Sequence, residues 1–223
     1  MRTSDPDVLK AVVRSTTAFV CVLVLASCTS GGSRTETANP CGISPSSEEE
    51  ALVREVLGTE DFATKAYGDT GWLVDKMERA LPVMRPEKHS FYTNACGYSV
   101  KDEQRDVRMT FLAGWFVRTS AVPSFPDDVS YSLNGARGTA SGDRTTLLVQ
   151  CDMPGELRAQ SQNVWLTADT SFTSSPSRTV ADQAAKDRRM TLTYLMARRV
   201  TEALGCENEP LAQPPVVKPL PAA

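Results

Sequence analysis

Cys41, Cys96, Cys151 and Cys206 stand at equal intervals along a chain that carries a single histidine, and these two facts set the chemistry open to it. An even set of cysteines far apart in sequence is the pattern of two disulfides in an oxidising compartment. Structural zinc asks for ligands a few residues apart. No pair of these cysteines has that spacing, and His89 lies in the polar run Arg85-Pro86-Glu87-Lys88-His89-Ser90, which reads as surface. No metal ligand and no cofactor is expected. The equal intervals suggest a duplicated unit, but overlaying Cys41–Cys96 on Cys151–Cys206 aligns neither apolar pattern nor turn residues, so the equality reads as coincidence.

With one imidazole, a serine or cysteine nucleophile has at most one histidine base. The Ser-x-x-Lys, Gly-x-Ser-x-Gly, glycine-rich phosphate-loop and His-Glu-x-x-His patterns do not occur. No catalytic residue is assigned. Paired carboxylates are a catalytic chemistry without a local motif, because folding brings them together. Asp127-Asp128, after Pro123 and Pro126, reads as a solvated turn in a loop from Ser120 to Asp128.

Charge on an apolar face is the less bland signal. At about 100° per residue, Arg188, Arg189 and Arg199 fall within the arc of Leu192, Leu195, Met196 and Ala203, whereas Arg198 points away. Guanidinium groups there must reach past the edge or find carboxylate and carbonyl partners. Internal salt bridges are the first expectation. The functional alternative is an anion-binding groove for a carboxylate, phosphate or lipid headgroup, lined by Arg188 and Arg199 about three turns apart. Trp165, between Val164 and Leu166, reads as a core or sheet-face residue, and Trp115 ends an apolar strand near Gly114. A carbohydrate platform would need two exposed aromatics on one face, whereas aromatics at strand positions are more often buried.

The elements that must position these groups follow from local pattern. Ser47-Glu48-Glu49-Glu50 is a capping box opening a helix with Leu52, Val53, Val56 and Leu57 on one face and Gly58 at its end. A second helix is predicted from Trp72 to Leu81, with Leu73, Met77, Ala80 and Leu81 inward, Asp75 placed for Arg79, and Pro82 as the stop. Strand patterns cover Phe91–Val100, Val107–Phe111, Val129–Leu133 before the Asn134-Gly135 turn, Thr145–Cys151 and Val164–Phe172. A long helix should start near the Thr179-Val180-Ala181-Asp182 box and run to Leu204, with Gly205 as its stop. Its Ala185, Leu192, Leu195, Met196, Val200 and Ala203 face should lie on the sheet. The fold class is therefore α+β: an antiparallel sheet of about five strands, two short N-terminal helices, one long C-terminal helix packed on it, and two disulfides.

Four cysteines allow three connectivities. Cys151–Cys206 is favoured because a long amphipathic helix must return across the sheet it covers, bringing the residue after its C-terminus to a strand end. Cys41–Cys96 follows by elimination.

At the N-terminus, Arg2, Lys10 and Arg14 precede an apolar run, Thr16 to Leu25, that is shorter than the ~20 residues a membrane span needs. With Leu25-Ala26-Ser27-Cys28 at its end, the segment resembles a bacterial lipoprotein signal. That resemblance implies cleavage after residue 27, a diacylglyceryl group on the Cys28 sulfur, and a membrane partner reached through the acyl chains. Residues 28–39 read as a flexible spacer, residues 40–208 as one domain, since about 165 residues suffice for a single core, and residues 209–223 as a proline-rich tail of open order. Leu211, Val216 and Val217 are able to pack along the domain. Asn39-Pro40-Cys41-Gly42, Asn94-Ala95-Cys96, Leu148-Val149-Gln150-Cys151 and Ala203-Leu204-Gly205-Cys206 together resemble a family of uncharacterised actinobacterial secreted lipoproteins. That resemblance implies a location and a fold type, with no activity to carry over.

With 24 Lys+Arg against 27 Asp+Glu, the chain offers no electrostatic reason to bind nucleic acid. The expectation is a lipid-anchored protein on the extracytoplasmic face of the cell membrane, a non-enzymatic binding or accessory protein for a protein or a small anionic ligand. The alternatives are a small envelope hydrolase using paired carboxylates, and a solute-binding component of a transporter, for which the chain is short.

Overall fold

The computed structural model describes residues 39–101, 106–121, 127–175 and 181–221. The signal, Cys28 and all of the spacer but Asn39 lie outside the described residues, as do Pro123, Pro126, Thr179 and Val180. Helix α1 spans Glu48–Leu57. The Ser47 hydroxyl accepts from the Glu50 amide at 3.2 Å, and Gly58, at φ 69°, closes the helix in the left-handed region where a Cβ is costly. After the short strand β1 (Ala63–Ala66), helix α2 (Thr70–Ala80) begins two residues earlier than predicted, because the Asp69 carboxylate caps the Trp72 amide at 2.7 Å. Leu73, Met77, Ala80 and Leu81 are buried, and Arg79 donates Nε to Asp75 at 2.7 Å.

Strands β2 (Ser90–Lys101), β3 (Asp106–Val117), β4 (Val129–Leu133), β5 (Ala136–Ala140) and β6 (Arg144–Val149) follow, then a one-turn helix α3 (Arg158–Ser161) and strand β7 (Val164–Ser175). The sheet has seven strands rather than about five, all antiparallel, in the order β1-β2-β3-β7-β6-β5-β4. The two additional strands carry no hydrophobic alternation that a sequence could advertise. Strand β1 is an exposed edge, and β5 is built of small residues because the long helix comes close: a Cβ on Gly138 would meet the Met190 side chain at 2.5 Å. Asn134 and Gly135, both at positive φ, make the β4–β5 turn.

Helix α4 spans Gln183–Leu204. Asp182 is its N-cap, accepting from the Ala185 amide at 2.7 Å, which corrects the start placed at the Thr179 box; Gly205 ends it at φ 68°. The side of α4 on the sheet also differs from the expectation. Buried Met190, Thr193 and Ala197 belong to the sheet side, with the Thr193 hydroxyl bonded to Thr170 of β7 at 2.8 Å. The arc of Leu192, Leu195 and Arg199 is turned to α1, and Ala185 and Ala203 are only half-buried. A helix enclosed on two sides has a broad apolar arc, and the wheel alone does not say which neighbour covers which part.

The bridges are Cys41–Cys96 and Cys151–Cys206, so the pairing is local. Around the second, Asn208 accepts from the Asp152 amide and donates to the Gln150 carbonyl, each at 2.9 Å. The C-terminal tail, residues 209–221, is an ordered arm. Leu211 is fully buried, Tyr194 donates to the Gln213 carbonyl at 2.9 Å, and the Leu220 amide donates to Ser130 of β4 at 2.7 Å. The arm therefore covers backbone groups of an edge strand that would otherwise be open to pairing.

Candidate functional site

Alternation along β7 divides it into two chemistries. Leu166, Ala168 and Thr170 turn to the helices, so Trp165, Thr167, Asp169 and Ser171 occupy the opposite face. Register carries that face outward: Phe116, Gly114 and Leu112 of β3 lie beside Trp165, Thr167 and Asp169, and Ser90, Tyr92 and Asn94 of β2 lie beyond them. On the other side come Leu148, Thr146 and Arg144 of β6, then Arg137 and Thr139 of β5. Helices α1, α2 and α4 pack on the first face, where the Trp115 indole of β3 donates to the Met77 carbonyl of α2 at 2.8 Å. On the second face, Tyr92, Asn94, Arg137 and Arg144 are exposed.

Two clusters stand on this face. In the first, Tyr92 lies across Gly114 from Thr167, near the Asp169 carboxylate. The Asp169 carboxylate, with a side chain 3 % exposed, accepts from the Thr146 hydroxyl, makes a long 3.5 Å contact with Thr167, and lies 3.6 Å from Arg144 Nε. Burial pushes the Asp169 carboxyl up from its ordinary range and outweighs the hydroxyl and guanidinium contacts that favour the anion. In the second cluster the Trp165 ring carries the Arg118 guanidinium 3.8 Å from its centroid and that of Arg137 at 5.3 Å. Arg118 also donates Nε to the Val164 carbonyl at 3.1 Å. Its pKa is drawn down by burial first and by Arg137, with Asp152 opposing. Cationic side chains held over an aromatic ring keep their hydrogen-bonding edges oriented, which suits an anion.

Because the folded state holds the Asp169 proton more tightly than the unfolded chain does, this residue's contribution to stability falls as pH rises from the ordinary carboxylate pKa, about 3.9, through the raised folded value. Asp169→Asn keeps the acceptor for Thr146 and removes the charge. The variant should melt above the wild type at neutral pH, and the difference should vanish in acid. A variant that melts lower by the same amount at every pH would show that the carboxylate is held at no cost.

The structure does not gather Arg188, Arg189 and Arg199 into one groove. Arg188 pairs with Glu55 of α1 at 3.5 Å and Arg199 pairs with Glu49. Arg189 donates to the Gly142 carbonyl between β5 and β6 and lies over Phe172, 4.2 Å from the ring centroid. Their groups serve as internal clips, the first expectation from burial cost. Asp127 is a turn acceptor, taking the Gly142 amide at 3.1 Å, while its own carbonyl accepts from Lys186 at 2.7 Å. His89 is exposed, beside Phe116 with ring centroids 5.9 Å apart. Trp115 is core and Trp72 lies on α2 below Lys76. Among the described residues no group of three or more His, Cys, Asp or Glu is placed to hold a metal ion, and no helix is long and apolar enough to cross a membrane.

Sequence reasoning missed Tyr92, Arg118, Arg137, Arg144 and Asp169. A signal existed in Trp165-Leu166-Thr167-Ala168-Asp169, whose alternate positions carry an aromatic, a hydroxyl and a carboxylate. No protein-family model matches this chain, and no curated protein or solved structure matches it.

Proposed function

We propose that the chain is a lipid-anchored lipoprotein of the extracytoplasmic membrane face, and that it binds an envelope ligand or partner through the uncovered face of its sheet without catalysing a reaction. The observation that carries the binding part is Trp165 with Arg118 and Arg137 at its ring, on a face that exposes Tyr92 and is not the one packed by α1, α2 and α4. The location is supported by Leu25-Ala26-Ser27-Cys28, by the likeness of the four-cysteine domain to actinobacterial secreted lipoproteins, and by two disulfides, which persist in oxidising compartments. Cys28→Ala should abolish incorporation of an azido-fatty acid in metabolic labelling and leave the protein uncleaved or released. Label persisting on the variant would remove the anchor from the proposal.

A second reading, an envelope hydrolase working with carboxylates, draws on Asp169, whose carboxyl burial pushes up. Turnover of peptidoglycan, glycan or ester substrates that is lost in Asp169→Asn would favour it over binding alone.

A further inference from the structure

The geometry points to an anionic glycan as the ligand of the uncovered sheet face; this rests on the binding reading above and names the chemistry of what is bound. Tyr92 is exposed, and Trp165, half-buried beneath Arg118 and Arg137, lies on the same face, so one ring is open to a sugar and the other orients the guanidinium groups beside it. The two rings lie two strands and two residues apart, a separation of about 12 Å from strand spacing and rise. That is the span of a short oligosaccharide rather than one sugar. Tyr92, 40 % exposed, offers a ring face for the apolar C–H side of a pyranose, and Asn94 beside it is exposed. Between and around the rings the face is rich in hydroxyls, among them Ser90, Thr139, Thr146 and Ser171, and hydroxyls match a polyol.

The charge makes the glycan acidic. Arg137 of β5, Arg144 of β6 and Arg118, which follows β3 and lies over Trp165, share this face, while the whole chain is acidic at −3. Of these, Arg144 is engaged by Asp169 and Arg118 by the Val164 carbonyl. Arg137 is exposed and makes no ion pair among the described residues, so it is the guanidinium most available to a carboxylate or phosphate. Tyr, Trp and Arg are enriched at protein interfaces too, but such interfaces are organised around a fully buried apolar core. Here Leu112 and Leu148 are already half-buried within the sheet.

The full-length protein, exported through its own signal, is titrated with a galacturonate tetramer, with the methyl ester of that tetramer, with a glycosyl-phosphate polymer and with inorganic phosphate, following Trp fluorescence. The proposal expects saturable binding of at least one charged glycan, the tetramer marking carboxylate and the polymer marking phosphate as the source of charge. The neutral ester should bind about tenfold weaker or less, the loss of one charge-assisted contact. Arg137→Gln should lower affinity for the charged glycan about tenfold with an unchanged melting temperature, and Tyr92→Ala should weaken acid and ester alike. Equal binding of acid and ester, full competition by inorganic phosphate at the same concentration, or an unaltered affinity in Arg137→Gln would each overturn it. If no glycan binds, purified cell-wall material separates the two failures: saturable binding lost in Tyr92→Ala removes the acidic glycan but leaves the binding face, whereas no saturable binding removes both.

Discussion

Replacing Cys151 and Cys206 together by alanine should cost the domain roughly 4 kcal/mol, the chain-entropy value for a closed loop of this length, given the sequence separation of 55. Against a total stability of about 5–15 kcal/mol for an ordinary domain, that is a loss large enough to leave part of the population unfolded. The bridge ties the end of β6, which carries Arg144 and Thr146, to the residue after the Gly205 stop of α4. Its neighbours do not replace it. The Glu207 amide bond to the Asp152 carbonyl at 2.9 Å and the two Asn208 bonds hold the same segment in the native state, but they do nothing to restrict the unfolded chain. Denaturant unfolding of the double variant should therefore show a lower midpoint together with a steeper dependence on denaturant, because the opened unfolded state exposes more surface. A loss below about 1 kcal/mol would place the stabilisation in the surrounding hydrogen bonds instead.

Gly114→Ala should destabilise the domain by about 3 kcal/mol, the upper end of ordinary overpacking costs, and should disable the uncovered face as well. A Cβ on Gly114 would meet the Phe91 carbonyl oxygen at 1.9 Å and the Tyr92 Cα at 3.1 Å, so the neighbouring backbone rather than a flexible side chain must move. The strand that moves is the one bearing Tyr92, which lies across this glycine from Thr167. Gly97, on the same face of β2, supplies the control: a Cβ there would meet the Tyr67 side chain at 3.6 Å and the Lys65 Cβ at 3.8 Å, both ordinary contacts. Gly97→Ala should accordingly leave the melting temperature within a degree or two of wild type, the scale of a surface change of about 0.5 kcal/mol. Similar melting temperatures for the two variants would mean that β2 and β3 separate at Gly114 without cost.

Local physics was legible without a structure where the signal and the consequence sit within a few residues. The Ser47 cap and the Gly58 and Gly205 stops depend on backbone groups one turn away, and Asn134-Gly135 makes its turn by itself. Five of the seven strands carried β-branched or aromatic residues in a readable pattern. Strand β5 did not, since Ala136, Gly138 and Ala140 are small to admit α4, a fact about a helix some fifty residues later in the chain. The start of α4 was misplaced for a simpler reason, two acceptable caps three residues apart, of which Asp182 is the one used.

What the sequence by itself determined was therefore the α+β class, the cysteine chemistry, and the need of Arg188, Arg189 and Arg199 for partners, because each follows from composition, period or the cost of burying charge. Which partners they take was decided by the tertiary structure, which laid α1 along α4 and spent Glu55 and Glu49 on two of those arginines. The candidate face was decided there too. Inserting β7 between β3 and β6 is what brings Tyr92, Thr167, Asp169 and Arg144 together, and sets Trp165 between Arg118 and Arg137. Alternation says only that Trp165 and Asp169 share one side of a strand; strand order, set by long-range pairing and by the helices that bury the other side, chooses their neighbours.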